Sequence, residues 1–142
     1  MRLVIDPGVY ISALLASNGP PGQLIRRWFN GEVEFVASPT LLDELAEVLA
    51  RPKFRAWVTA DAASAFVAPV ASTVVLAPDA AAQPGISPDP GDDYLFALAA
   101  NARADALVTG DKALLGASGV GLIVSPAAAL RLLDERVPGA SA

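Results

Sequence analysis

The sequence predicts an α/β fold: one domain built on a mainly parallel sheet of about five strands with helices on both faces. Three observations carry this. Short apolar runs recur along the chain, and turn or helix-start signals follow most of them. Segments with apolar residues at helical spacing lie between the runs. Two Ser-Pro pairs, Ser38-Pro39 and Ser125-Pro126, stand directly after apolar runs, with Ser placed to cap a helix and Pro to open it. Strands that alternate with helices return in the same direction, which makes the sheet parallel.

Leu3-Val4-Ile5 is the first strand, ended by Asp6-Pro7-Gly8. Val9 to Ala16 reads as a short helix, and Gly19-Pro20-Pro21-Gly22 breaks the chain. Gln23 to Asn30 places Leu24, Ile25, Trp28 and Phe29 at helical spacing and stops at Gly31. Glu34 to Ala37 is the second strand. Ser38-Pro39 opens a long helix with an apolar face of Leu41, Leu42, Leu45, Val48 and Leu49, ended by Arg51-Pro52. Phe54 to Val67 reads as another helix, and Thr73 to Leu76 as the third strand. Ala77 to Gly91, rich in Pro, Ala, Asp and Gly, reads as a surface connection within the domain. Asp92 to Arg103 is a helix with Leu95, Phe96, Leu98 and Ala99 inward. Ala106 to Thr109 and Gly121 to Val124 are the fourth and fifth strands, and Ala127 to Leu133 the last helix. The domain is expected to span 1–137, with 138–142 a frayed tail.

The chain has 142 residues, 54% of them hydrophobic and 18% charged, with a mean hydropathy of +0.46. That composition suits one domain with a sizeable core and excludes intrinsic disorder. No apolar stretch approaches the roughly 18 residues of a membrane helix. Asp6, Pro7 and Gly8 interrupt the first apolar run too early for an export signal, so a cytoplasmic location is expected. There are no cysteines and no histidines. Disulfide scaffolds, thiolate zinc sites, cysteine nucleophiles, Ser-His-Asp chemistry and histidine metal ligands are therefore excluded. The net charge of −5 and pI near 4.5 show no basic nucleic-acid footprint. Nucleic acid stays open as a substrate, because bound divalent cations would reverse the local sign.

In an open α/β sheet the working cleft lies beyond the carboxyl ends of the strands. Asp6 directly follows the first strand and Asp111 follows the fourth by two residues. Glu44 and Asp93 lie early in helices that could bring them to the same crevice. Four converging carboxylates repel unless protonated or bridged by cations, and oxygen ligands suit Mg²⁺ or Mn²⁺. Phosphodiester hydrolysis is a natural reaction for such a site. Each acid also has a purely structural reading. Asp6 and Asp111 can cap helices, Asp92 and Asp93 sit in a first turn where the helix dipole favours acids, and Glu44 can be a surface residue like Asp43 and Glu47.

The order of these acids, with their surroundings, resembles the PIN-domain family, in particular its VapC-like toxins of toxin–antitoxin pairs. The resemblance runs through Leu3-Val4-Ile5-Asp6, Pro20-Pro21-Gly22, Ser38 to Leu45, Leu49 to Phe54, Asp89 to Ala99 and Leu107 to Leu115. It implies a sheet of order 3-2-1-4-5 and an endoribonuclease in which Asp6, Glu44, Asp93 and Asp111 bind one or two Mg²⁺ or Mn²⁺ ions. Asp93 is preferred to its neighbour Asp92 because it stands four residues before Ala97, the spacing the family shows. Thr109 matches the family's hydroxyl before the last acid. The resemblance further implies an antitoxin-like partner, which often sends Arg or Lys into the acidic crevice, and a homodimer, for which the helices 23–30 and 40–50 offer surface. One departure is clear: Asp6-Pro7-Gly8 replaces the usual Asp-Thr-Asn or Asp-Thr-Ser. Ser12, one helical turn beyond Gly8, is the candidate substitute. The departure keeps a second reading open, a weakened or inactive module that binds a partner on the same fold.

The basic residues Arg26, Arg27, Arg51, Lys53 and Arg55 cluster in the first half of the chain. They read either as a solvated surface or as a phosphate-gripping rim, with Arg51 and Lys53 the rim candidates. Lys112 stands beside Asp111, placed to touch a scissile phosphate or pair with that acid. Trp28, Phe29, Phe54 and Trp57 read as core or interface residues, with base stacking by Trp57 the lesser alternative. A haloacid-dehalogenase phosphatase is disfavoured because Gly8 stands where its second acid belongs. Gly116 to Gly121 lacks the Lys-Ser or Lys-Thr of a P-loop and reads as a turn.

Overall fold

The computed structural model describes residues 1–81, 90–117 and 121–136. Strand β1 (Arg2–Ile5) is followed by helices α1 (Pro7–Leu15) and α2 (Pro20–Phe29), then β2 (Glu34–Ala37) and α3 (Pro39–Leu49). A 3₁₀ turn (Pro52–Ala56) leads to α4 (Ala60–Thr73) and β3 (Val75–Leu76). A second 3₁₀ turn (Pro90–Asp92) opens α5 (Asp93–Asn101). Strand β4 (Ala106–Val108), α6 (Lys112–Leu115), β5 (Ile123–Val124) and α7 (Pro126–Arg136) complete the order. The five strands form one sheet of order β3-β2-β1-β4-β5, and every pairing is parallel. This is the predicted architecture and strand order.

Successive strand residues point to opposite faces, so a strand buried at every position must be covered on both sides. Leu3, Val4 and Ile5 of β1 are wholly buried, as are Phe35, Val36 and Ala37 of β2. The edge strand β3 leaves Val75 and Leu76 exposed. The chain winds outward from β1 to β3, then crosses to β4 on the other side of β1. With right-handed crossovers this reversal puts α1 to α4 on one face and α5 and α6 on the other. Helix α5 packs directly on β1 and β4, while α7 returns to pack on α2. Arg27 of α2 ties that contact with a 2.6 Å bond to Asp134 and holds Glu32 at 3.0 Å.

Several boundaries differ from the sequence reading, and the causes are local. Helix α1 begins at Pro7 because Asp6 caps it, and α2 begins at Pro20 because prolines are tolerated in a first turn. The predicted helix from Phe54 to Val67 is instead a 3₁₀ turn and a separate helix. Thr59 restarts the helix by accepting the Ala62 N–H at 3.0 Å, and the new helix runs on to Thr73. Thr73 and Val74 therefore leave the third strand, which keeps only Val75 and Leu76. The short α6 adds an element to the order read from the sequence, and Asp111 caps it, one of the two structural roles open to that residue. Residues 82–89 of the predicted surface connection, 118–120 of the predicted turn and the expected tail 138–142 lie outside the described residues.

Two core features constrain the sequence. The α1–α2 corner brings the chain so close that a Cβ on Gly22 would lie 2.0 Å from the Ser17 carbonyl oxygen. Tyr10 packs edge-on against Trp28 and Phe35, which stack on each other at 4.6 Å between ring centroids. Its ring is fully buried, and its hydroxyl has no hydrogen-bond partner among the described residues. Burial pushes this phenol well above its ordinary pKa. Trp28 and Phe54 are core residues, whereas Phe29 and Trp57 are exposed on the single chain.

Gly22→Ala forces backbone apart and is expected to destabilise by about 3 kcal/mol or more, read as a drop of roughly 10 °C in Tm. Tyr10→Phe removes a buried unpaired hydroxyl and is expected to stabilise by about 1 kcal/mol. The Tyr10 phenol keeps its proton in the fold, whereas above a pH of about 10 it ionises in the unfolded chain. Stability from this group is thus complete below that pH and falls as pH rises. Denaturant melts between pH 9 and 11 should show a shallower loss in Tyr10→Phe than in the native chain.

Candidate functional site

The sheet order reverses between β1 and β4, and the carboxyl ends of those two strands open a crevice. A cleft of about 390 Å³ lies there, lined by Asp6, Ser12, Asp92 and Asp111 with Gly8, Val9, Pro21, Gly110 and Pro126 as its walls. None of the described lining residues is basic.

Asp6 is the residue immediately after β1. Its Oδ1 accepts the Gly8 N–H at 3.0 Å, which caps α1, and its Oδ2 accepts the Thr109 hydroxyl at 2.8 Å. Thr109 follows β4 and is fully buried. Its Oγ1 also accepts the Asp111 N–H at 3.0 Å. One buried hydroxyl therefore joins the carboxylate of Asp6, directly after β1, to the backbone of Asp111, three residues after β4. Asp111 is exposed, and its Oδ1 caps α6 by accepting the Ala113 N–H at 2.9 Å. The capping roles of Asp6 and Asp111 are real, and they coexist with the placement of both carboxylates at the cleft.

The other predicted residues are placed less uniformly. Asp92 ends the 3₁₀ turn and lines the cleft, while the adjacent Asp93 opens α5, is only 4% exposed, and is not among the described lining residues. Glu44 does not line the cleft either. It sits half-buried on α3 and accepts a hydrogen bond from the phenol of Tyr94. Burial raises the Tyr94 pKa above the ordinary phenol value, and the hydrogen bond to Glu44 and the charges of Glu44, Asp6 and Asp92 raise it further. The phenol therefore stands within electrostatic reach of three of the acids. Tyr94 was missed in the sequence, where a tyrosine beside an acid in a first turn carries no signal of its own.

Ser12 presents its exposed side chain to the cleft, at the turn of α1 above Gly8. A Cβ on Gly8 would meet only Asp6 Oδ1, at 3.7 Å. The Asp6-Pro7-Gly8 departure thus leaves room at the position where the resemblance expects a side chain. Lys112 is exposed next to Asp111. Arg51 and Lys53 follow α3, two helical turns or more beyond Glu44, and neither lines the cleft. Lys53 lies 5.1 Å from the centre of the Phe54 ring. Arg26 donates to the Ser17 carbonyl at 2.7 Å, and Arg55 donates to the Leu49 carbonyl.

Carboxylate oxygens are the ligands Mg²⁺ and Mn²⁺ prefer, and those ions keep several waters, so they need few protein ligands. By donor chemistry the acids of the cleft fit such an ion. As they stand, no group of three or more acids among the described residues is drawn together closely enough to hold one.

A parallel α/β sheet with acids gathered at its switch point defines a class of carboxylate-site α/β proteins. The sequence pattern of the PIN domain matches residues 2–113, and the chain belongs to the PIN-domain family. It is 27% identical over 115 residues to the uncharacterized protein MJ1680 of Methanocaldococcus jannaschii, spanning 81% of this chain and 74% of that one. Its fold is similar to a chain in the crystal structure of VapBC2 from Rickettsia felis bound to a DNA fragment from their promoter. That match has a TM-score of 0.60 and 14% identity, and covers 88% of this chain and 98% of the other. It is also similar to PAE2754 from Pyrobaculum aerophilum, with a TM-score of 0.61 and 15% identity over 95% and 99% of the two chains. No helix among the described residues is long and apolar enough to cross a membrane.

Thr109→Val keeps the shape of the side chain and removes its hydroxyl. It leaves the Asp111 N–H and Asp6 Oδ2 without their partner. It is expected to destabilise the fold by about 1–3 kcal/mol, measured by denaturant unfolding.

Proposed function

We propose that this chain is a metal-dependent endoribonuclease that hydrolyses RNA phosphodiester bonds, acting as the toxin of a toxin–antitoxin pair in the cytoplasm. The observation that carries the reading is the Asp6–Thr109–Asp111 hydrogen-bond chain at the switch point of a PIN-domain sheet. Membership of the PIN-domain family supports nuclease chemistry, and the similarity to a VapBC2 chain supports the toxin context.

Asp6, Asp111, Asp93 and Glu44 would hold Mg²⁺ or Mn²⁺, with Asp92 at the cleft wall beside them. The bound ion supplies Lewis acidity toward the phosphate and a more acidic water. The protein's own part is to hold the carboxylates in place. Thr109 fixes Asp6 by its hydroxyl, and the Gly8 and Ala113 N–H groups fix the remaining oxygens that cap α1 and α6. Lys112 would meet a phosphate oxygen, and Arg51 and Lys53 would contact more distant phosphates. In the hydrolysis, water oxygen bonds to phosphorus, the bond to the 3′ oxygen breaks, and that oxygen leaves as a hydroxyl. The partners proposed with this activity are an antitoxin-like protein and a second copy of the chain.

The open space at Gly8 favours a second reading, in which the site is weakened and the chain serves chiefly as a partner-binding module. Calorimetric Mn²⁺ titration separates the two. Asp111→Asn is a suitable control because Asn caps a helix as well as Asp does. The nuclease reading expects saturable binding by the native chain, weakened about 100-fold or more in Asp111→Asn, with RNA cleavage lost in parallel. Absence of binding up to millimolar Mn²⁺, or equal binding by both proteins, would overturn the metal reading and leave the binding module.

A further inference from the structure

Tyr94 is the second residue of α5, and its phenol donates to Oε2 of Glu44 on α3. The partners are fifty residues apart in sequence. Helices α3 and α5 leave opposite sides of the sheet reversal, so this bond reaches across the carboxyl edge where Asp6 and Asp111 also lie. Among the described residues Tyr94 makes the one hydrogen bond given to Glu44.

A glutamate on a helix surface has three rotatable side-chain bonds. Left alone it would turn toward water. Bringing it to a ligand would then cost rotamer entropy. A hydrogen bond from a neutral donor to a carboxylate is among the stronger ones, and the donor here hangs on a half-buried ring. A phenylalanine would fill the same space without donating.

We infer that Tyr94 is a positioning residue, whose phenol restrains the Glu44 carboxylate on the carboxyl side of the sheet so that it can be drawn to a divalent cation at the cleft. The inference rests on the metal-binding reading proposed above, and it assigns to α5 a second task beyond carrying Asp93. Tyr94 touches neither substrate nor cation itself. Its effect runs entirely through Glu44.

A double-mutant cycle read by Mn²⁺ calorimetry tests this, using the native chain, Tyr94→Phe, Glu44→Gln and the double variant. Tyr94→Phe is expected to weaken Mn²⁺ binding by about 10-fold or more, the usual effect of losing a group that orients a ligand. In the Glu44→Gln background the same change is expected to alter affinity less than about twofold, since nothing is left to orient. A melt in EDTA checks that Tyr94→Phe remains folded, as expected for a change that keeps the ring. Unchanged Mn²⁺ affinity in Tyr94→Phe, or an equal loss in both backgrounds, overturns the positioning role while leaving the metal site standing. A native chain that binds no Mn²⁺ overturns the metal reading and this role together.

Discussion

The burial of β1 on both faces and both edges is the constraint from which the rest of the molecule follows. Leu3, Val4 and Ile5 leave no room for water on either side, and β2 and β4 saturate the backbone on either edge. A strand so enclosed can change environment only at its ends. The first residue released from it is Asp6, and the first residue released from β4 beside it is Thr109. The parallel register that pairs Ile5 with Val108 therefore sets an acid and a hydroxyl side by side. The 2.8 Å bond between them is a consequence of sheet register.

The same economy explains how one side chain serves both folding and chemistry here. Asp6 directly follows β1 and Asp111 stands three residues after β4, and each caps the next helix. Capping uses one oxygen of each carboxylate, and it fixes the direction in which the rest of the group points. A helix cap is thus also a device for aiming a ligand. The negative charge that results is tolerable because three of the acids, Asp6, Asp92 and Asp111, line an open cleft and Glu44 accepts a hydrogen bond from Tyr94. The Gly8 position is where the family's pattern and this chain part. Space exists for a side chain, the backbone would permit one, and among the described lining residues of the cleft Ser12 of α1 offers a hydroxyl.

Most of the scaffold was legible in the residues because its signals are local. The three-residue run before Asp6, the Ser38-Pro39 start and the amphipathic face of α3 each declare themselves over a few positions. The misread segment shows the limit. From Phe54 to Val67 the apolar spacing continues, yet Thr59 captures the Ala62 N–H and starts a new helix. The exposed Trp57 beside that break could not be told from a core aromatic by type alone. The acids at strand ends were legible because the fold class says where to look. Their cooperation through Thr109 was suggested by family pattern, and Tyr94 carried no signal at all.

The sequence by itself determined the α/β class, the order of the strands, the Ser-capped starts of α3 and α7, and the absence of histidine and cysteine chemistry. These follow from side-chain type and short-range periodicity, which act within one or two turns of chain. The tertiary structure decided which of Asp92 and Asp93 lies at the cleft wall and which is buried. It also decided that Glu44 is held by a tyrosine fifty residues away, and that Arg51 and Lys53 stand apart from the cleft. Each of those outcomes depends on where α3 and α5 come to rest over the carboxyl edge of the sheet. That placement is set by contacts between residues far apart in sequence, which no local pattern encodes.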